Sequence, residues 1–158
     1  MAYASTETFA NKIAPLMGKE GPYTNGAWAS ILASIFPLPE YLVIPRFRVK
    51  SGSTSSKADL VVWDVVNDRA KLVYEGKKVG KSTSTINEAD EQLIEYMSTL
   101  GVEYGVAAVG KTVAIVKKDG GQLVELQWSG SEIVREEGEH RYDVLEDAEK
   151  IEALLKAI

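Results

Sequence analysis

The sequence predicts a single domain of the α/β class, spanning residues 1–158, in which helices flank a mixed central β-sheet. A length of 158 residues is that of one ordinary domain, and it suffices to bury a core without disulfides or metals. Apolar residues make up 45% and charged residues 26% of the chain, as in folded globular proteins. The periodic segments run helix, helix, three strands, helix, strands, helix, which favours a sheet covered by helices.

Apolar residues at helical spacing predict two helices before the first strand. The first covers residues 5–17. The second follows Asn25, a favourable N-cap residue, and ends before Pro37.

Three segments typical of β-strands come next, at residues 41–50, 59–66 and 69–77. The polar segment 51–56 is predicted to be a flexible loop, and Asn67-Asp68 joins the second and third strands. The clearest helix of the chain follows them.

That helix covers residues 86–100, begins with a capping box of Thr85 and Glu88, and stops at Gly101. Gln92 and Tyr96 lie one turn apart at the border of its apolar stripe. The remaining segments are predicted strands at residues 104–109, 112–117 and 123–128, a polar loop at 129–140 and a last helix at about 143–157.

The sequence excludes several classes of chemistry. It contains no cysteine, which excludes disulfide scaffolds, iron–sulfur sites and cysteine nucleophiles. A single histidine, His140, makes His-rich metal sites and a serine triad poor explanations. No apolar run approaches roughly 18 residues, so no membrane span is expected. The first residues lack the features of a secretory signal, which favours an intracellular location, cytoplasmic or nuclear.

The charge is unevenly distributed. The whole chain carries a net charge of −5. The segment from Arg46 to Lys81, in contrast, has nine basic and four acidic residues. Such a basic segment is a candidate anion-binding face, although solvated strand edges would also explain it. Within it, Lys57, Lys78 and Lys81 are candidate substrate-binding residues.

One segment matches the letters of a phosphate-binding loop. Residues 105–112, from Gly105 to Thr112, fit G-x-x-x-x-G-K-[ST]. Such a loop must open into a helix, whereas residues 112–116 are β-branched and predict a strand. A hairpin turn at Gly110-Lys111 is therefore favoured, and nucleotide binding is a remote alternative.

A second constellation consists of Asp59, Glu75 and Lys77. Glu75 and Lys77 are two residues apart in a strand and share a face. If the turn between the strands centres on Asn67, Asp59 lies opposite Glu75 and the other face is apolar. A shift by one residue separates the two carboxylates. We prefer the first register, which requires a three-residue loop or a bulge at residues 66–68.

Two carboxylates on adjacent strands form an oxygen-rich site suited to Mg²⁺ or Mn²⁺. A neighbouring lysine can stabilise charge on a phosphate or help orient or deprotonate a water. Carboxylate–lysine pairs are also common on exposed sheet faces, so an ordinary surface cluster remains an alternative. Gln92 and Tyr96 could reach the same face or could be boundary residues of the helix.

The order Asp59, then Glu75-Gly76-Lys77, then a helix with Gln92-x-x-x-Tyr96, resembles the PD-(D/E)xK nuclease superfamily, also called restriction-endonuclease-like. The Gln-x-x-x-Tyr element is similar to the RecB-type and type I restriction branches. The resemblance runs from about residue 41 to residue 117. It implies a nuclease-like core at about residues 26–117, with helices 5–17 and about 143–157 as additions.

The resemblance implies a divalent-metal-dependent phosphodiesterase, an endonuclease or an exonuclease. Asp59, Glu75 and the backbone carbonyl of Gly76 would bind Mg²⁺ or Mn²⁺. Lys77 would assist the attacking water, and Gln92 and Tyr96 would position the substrate phosphate or the lysine. The partner would be nucleic acid, with DNA and RNA both open, and a homodimer or a protein partner is possible.

The sequence departs from the family pattern at three points. Ala58 stands where the family has proline, and Gly76 would loosen its strand. Residues 27–36 contain no acidic residue, although the family has one on this helix; the acidic residues nearby are Glu7, Glu20 and Glu40. The alternative function is therefore that of a catalytically inactive relic of the nuclease fold that acts as a binding protein. The acidic last third of the chain would suit a protein partner.

Overall fold

A mixed β-sheet with helices on both faces forms the protein, as the sequence predicts. The computed structural model describes residues 3–19, 21–77 and 84–158. The helical elements are a π-helical segment Phe9–Ile13, α1 (Ala14–Met17), α2 (Gly21–Ile35), α3 (Ser84–Leu100) and α4 (Ala148–Ala157). In the described ranges, no helix is long and apolar enough to span a membrane.

Nine strands are found in the described part of the chain. They are β1 (Tyr41–Ser51), β2 (Thr54–Asp64), β3 (Arg69–Lys77), β4 (Tyr104–Val109), β5 (Thr112–Asp119), β6 (Gln122–Glu125), β7 (Gln127–Trp128), β8 (Ile133–Val134) and β9 (Tyr142–Asp143). The main sheet has the order β1-β2-β3-β4-β5-β6, with β9 also paired to β5, while β7 and β8 pair separately. Among the described strands, only β3 and β4 pair in parallel, because the chain crosses over between them through α3.

The sheet separates two hydrophobic cores. One core joins α2 and α4 to the sheet and contains Trp28, Leu60 and Tyr74. The other lies under α3. The α3 residues buried in it match the predicted stripe: Ile86, Ala89, Leu93 and Met97, with Leu100 partly buried. This packing fixes α3 against β3 and β4 and therefore positions its polar residues relative to Glu75.

The predicted register of the β2–β3 hairpin is found in its buried part, where Leu60 pairs with Tyr74 and Val62 with Leu72. The bulge, however, lies between Val62 and Trp63 and not at residues 66–68. In the turn between β2 and β3, the Asp64 carboxylate accepts hydrogen bonds from both the backbone and the side chain of Asn67, and these bonds stabilise the reversal of the chain.

Several predicted boundaries are wrong at the helices. Helix α2 begins at Gly21, so Asn25 lies inside it and is no N-cap. Pro22 does not delay the start, since a proline in the first turn removes only an N–H that has no helical partner. The last helix begins at Ala148 and not near residue 143, because the Asp143 carboxylate accepts two backbone N–H groups and holds a turn.

The predicted flexible loop at residues 51–56 is also wrong. Strand β1 continues to Ser51 and β2 begins at Thr54. Gly52, with a φ of 62°, supplies the left-handed conformation that the tight turn needs. The result is a long β1–β2 hairpin whose middle carries Asp59.

Candidate active site

Asp59 lies where the β1–β2 hairpin changes direction. In β1, Val43 packs on the α2 side of the sheet and Phe47 on the α3 side, although residues four apart in a regular strand share a face. Arg46 between them has a φ of 51°, rare for a non-glycine residue. The β1–β2 pairing is interrupted at this point, between the pairs Pro45–Leu60 and Phe47–Ala58. The kink re-aims the side chains of both strands at this position.

The Asp59 carboxylate connects β2 to β3 beyond the last paired residues. The β2–β3 ladder ends at Leu60 and Tyr74. Beyond it, the backbone N–H of Gly76 donates a hydrogen bond of 2.9 Å to Asp59 Oδ2. The Asp59 carboxylate thus replaces a backbone carbonyl as the acceptor between the two strands. This hydrogen bond holds Asp59 against the segment Glu75-Gly76-Lys77.

Glu75 is a buried carboxyl group beside Asp59. Its side chain is only 6% exposed, and its Oε2 atom is buried without a hydrogen-bond partner. Burial, and next the charge of Asp59, raise the pKa of Glu75 to about 8, although the charge of Lys77 acts in the opposite direction. The protonated form of Glu75 is therefore favoured at neutral pH, and a side-chain hydrogen bond to Asp59 acts in the same direction.

Gly76 allows α2 to approach β3 closely. A Cβ atom at this position would overlap Asn25 Oδ1 of α2 and the hydroxyl of Tyr74. In the observed arrangement Tyr74 Oη donates a hydrogen bond of 3.0 Å to Asn25 Oδ1. Gly76 does not loosen its strand as expected, since it keeps its pairing with Ala108 of β4. The glycine in the Glu-x-Lys motif is thus explained by this contact.

Tyr96 connects α3 to the strand that carries Asp59. Its ring is only 3% exposed, so it is more deeply buried than a boundary residue, and its hydroxyl donates a hydrogen bond of 3.2 Å to the Lys57 carbonyl. Burial raises the pKa of Tyr96, and the charges of Glu75 and Asp59 act in the same direction. Gln92 lies one turn earlier, half-buried, and forms no hydrogen bond within the described residues.

The remaining predicted residues are less closely grouped. Lys57 is exposed on β2, whereas Lys78 and Lys81 lie outside the described residues. Of the acidic candidates, Glu20 is outside them too, and Glu7 and Glu40 are exposed in other elements. In the ranges that the structure describes, no three His, Cys, Asp or Glu residues form a cluster suited to a metal ion.

The segment from Gly105 to Thr112 forms a hairpin and no phosphate loop. It consists of β4, a turn at Gly110 with a φ of 58°, and the start of β5. No helix begins there, so this segment lacks the free N–H groups of a helix N-terminus that bind phosphate in such a loop. The geometry gives the remote alternative of nucleotide binding no support.

Sequence reasoning missed three residues of this region. Asn25 is predicted as an N-cap, and nothing in the local sequence around Tyr74 predicts its contact with α2. Arg46 carries no local signal for its left-handed backbone, since no glycine, asparagine or aspartate stands there.

Comparison with known proteins identifies the family. The model of the family described as "Type I restriction enzyme R protein N terminus (HSDR_N)" matches residues 27–128, more than half of the chain. Curated protein sequences include no significant match.

Two solved structures resemble the fold. One is a cryo-EM structure of a DrdV–DNA complex, with a TM-score of 0.57 and 15% identity over 85% of this chain and 11% of that one. The other is the type IIG restriction endonuclease BpuSI, with a TM-score of 0.51 and 16% identity over 94% of this chain and 16% of that one. The chain thus spans a small part of either protein, and at these identities the likeness shows the fold alone. The chain belongs to the family of type I restriction enzyme R protein N termini and has a restriction-endonuclease-like fold.

Proposed function

We propose that this protein is a divalent-metal-dependent nuclease that hydrolyses phosphodiester bonds of nucleic acid at Asp59 and Glu75. The observation that carries the proposal is the buried Oε2 atom of Glu75, which has no hydrogen-bond partner and lies beside a second carboxylate. A buried carboxyl oxygen without a hydrogen-bond partner costs stability, so its persistence suggests a group that binds there during function.

A divalent cation fits this donor set. Asp59 and Glu75 supply carboxylate oxygens, and the Gly76 carbonyl between Glu75 and Lys77 can supply a third oxygen. Mg²⁺ binds through one or two carboxylates together with waters and substrate phosphates, so two carboxylates suffice. Binding would displace the proton of Glu75, because a metal ligand must be ionised.

The surrounding residues suit hydrolysis of a phosphodiester. When bound, Mg²⁺ supplies a positive charge that polarises the phosphate and lowers the pKa of a water. Lys77, two residues after Glu75 on the same face, places a cation where negative charge grows on the phosphate. Tyr96 holds α3 against β2 through the Lys57 carbonyl and so sets the distance between Gln92 and the carboxylates. We assign Gln92 a role in positioning the phosphate.

DNA is the favoured substrate. The family contains restriction enzyme subunits, and one of the two structural neighbours was determined as a complex with DNA. The basic segment from Arg46 to Lys81 agrees with a polyanionic partner in a chain whose net charge is −5.

Calorimetric titration with Mn²⁺ tests this proposal without knowledge of the substrate. We expect the wild type to bind Mn²⁺ and Asp59→Ala to lose that binding. Glu91→Gln removes an exposed carboxylate on α3, outside the Asp59–Glu75 pair, and should bind Mn²⁺ like the wild type. Cleavage of plasmid DNA with Mg²⁺, lost in Asp59→Ala and Lys77→Ala, would extend the result to catalysis.

A second candidate function is that of a binding protein without catalysis. It is favoured by the composition of α2, which presents Asn25 and no carboxylate toward β3. This candidate predicts a folded wild type without Mn²⁺ affinity, and the same titration therefore separates the two functions.

A further inference from the structure

A cleft opens beside Asp59, between α2 and the kinked middle of the β1–β2 hairpin. Its volume is about 550 Å³, within the range of roughly 300 to 1,000 Å³ that is typical of pockets for small organic ligands. Much of its lining is apolar or without a side chain: Pro22, Gly26, Ala29, Pro45 and Leu60. This cleft is called the α2 cleft.

Two cationic side chains line the same α2 cleft. Arg46 and Lys57 are both exposed, and neither forms an ion pair with any described residue. Arg46 lies in the interruption of the β1–β2 pairing between Pro45–Leu60 and Phe47–Ala58, and Asp59 lines the same cleft. Unpaired cations within a few residues of a carboxylate pair are available to a phosphate that reaches the cleft and the carboxylates together.

A neutral donor completes the lining. Tyr74 Oη donates to Asn25 Oδ1, which fixes the carboxamide and leaves its N–H groups without a partner among the described residues. Asn25 therefore offers preorganised N–H groups between the apolar lining and Asp59.

We propose that the α2 cleft holds one unpaired nucleotide of the substrate strand, next to the bond that is cut. Arg46, Lys57 and Asn25 bind its phosphate, and the apolar lining contacts its sugar and base. Because the lining combines phosphate-binding groups with apolar contacts for one nucleotide, we infer that an unpaired strand or strand end is the preferred substrate. It rests on the proposed function, because it places the scissile phosphate at Asp59.

Binding of a fluorescein-labelled 12-nucleotide single-stranded DNA, measured by anisotropy in EDTA, tests the α2 cleft. We expect Arg46→Ala to weaken binding and to reduce the slope of log affinity against log salt by about 0.7, the value for one phosphate contact on a single strand. Arg69→Ala also removes one positive charge, at the end of β3 that lies away from Glu75, and should leave the slope of log affinity against log salt unchanged. The duplex of the same sequence should bind more weakly to the wild type.

A steric variant tests the cleft without removing a charge. A Cβ atom at Gly26 meets no atom within 4 Å, so Gly26→Phe can extend into the cleft, and replacing a helix glycine does not weaken α2. We expect Gly26→Phe to weaken DNA binding on the order of tenfold. Gly121→Phe, in the β5–β6 turn where a Cβ atom likewise meets no atom within 4 Å, should bind like the wild type. Any of three results would overturn the inference. Arg46→Ala and Arg69→Ala could have equal effects, Gly26→Phe could bind DNA normally, or the wild type could prefer the duplex.

The Mn²⁺ titration keeps this test separate from that of the proposed function. If Gly26→Phe loses DNA binding but retains Mn²⁺ binding, both proposals stand. If Mn²⁺ binds but Gly26→Phe binds DNA normally, only the cleft assignment fails. If no variant binds Mn²⁺, the proposed function fails, and the assignment of the cleft to a scissile nucleotide fails with it.

Discussion

Replacing Glu75 by glutamine should stabilise the protein at neutral pH and change how its stability depends on pH. The pKa of Glu75 is raised from 4.5 to about 8 in the fold, because burial and Asp59 disfavour its ionised form. In the unfolded chain the group ionises near pH 4.5. Between these two values the unfolded chain releases a proton that the folded protein keeps, so stability falls as the pH rises from 4.5 to 8.

The expected change in the free energy of unfolding follows from the difference between pH 4.5 and pH 7. One pKa unit corresponds to about 1.4 kcal/mol, so the wild type loses about 3 kcal/mol at pH 7 relative to pH 4.5 through this group. Glutamine has the same shape, cannot ionise, and can still donate a hydrogen bond to Asp59. Glu75→Gln should therefore exceed the wild type in free energy of unfolding by about 3 kcal/mol at pH 7 and match it near pH 4.5.

Urea unfolding in EDTA at pH 4.5, 6, 7 and 8 measures this difference. Glu91→Gln serves as the control, since its carboxylate is exposed and its variant should follow the wild type at every pH. Parallel pH profiles for Glu75→Gln and the wild type would refute the reasoning that Glu75 is protonated beside Asp59.

The other predictions concern the contacts around the carboxylates. Gly76→Ala should lower the free energy of unfolding by roughly 1 to 3 kcal/mol, since the new methyl group overlaps Asn25 and Tyr74; an unchanged urea midpoint would contradict that contact. Tyr96→Phe should cost about 1 kcal/mol through the lost hydrogen bond to Lys57, measured in the same way. Its Mn²⁺ affinity should stay within about twofold of the wild type, and a larger loss would show that the hydroxyl acts at the metal site. Finally, Mn²⁺ affinity should rise about tenfold per unit between pH 6 and pH 7.5, since one proton must leave the carboxylate pair; a flat calorimetric profile would contradict this.

The pairing of β2 with β3 could be predicted because burial of one apolar face selects one register. The register that places Asp59 opposite Glu75 leaves the other face of the hairpin apolar, and the pairs Leu60–Tyr74 and Val61–Val73 have that register. The stripe of α3 was equally informative, since burial at every third or fourth position defines both the helix and its inner face.

Turns and caps were less predictable because their residues suit more than one conformation. Asn25 is favourable as an N-cap, yet it lies inside α2, where its contact with Tyr74 depends on β3, about fifty residues away in sequence. Gly76 weakens a strand by intrinsic preference, but a tertiary contact requires it. The backbone of Arg46 depends on the hairpin as a whole, and nothing in the local sequence indicates it.

The most direct test of the central claim is to count the protons released when Mn²⁺ binds to the wild type. Calorimetric titrations at pH 7 in two buffers of different ionisation enthalpy give this number. A site formed by Asp59 and a protonated Glu75 predicts release of close to one proton per bound Mn²⁺. Absence of binding, or binding without proton release, would contradict the assignment of this buried carboxylate pair as a metal centre.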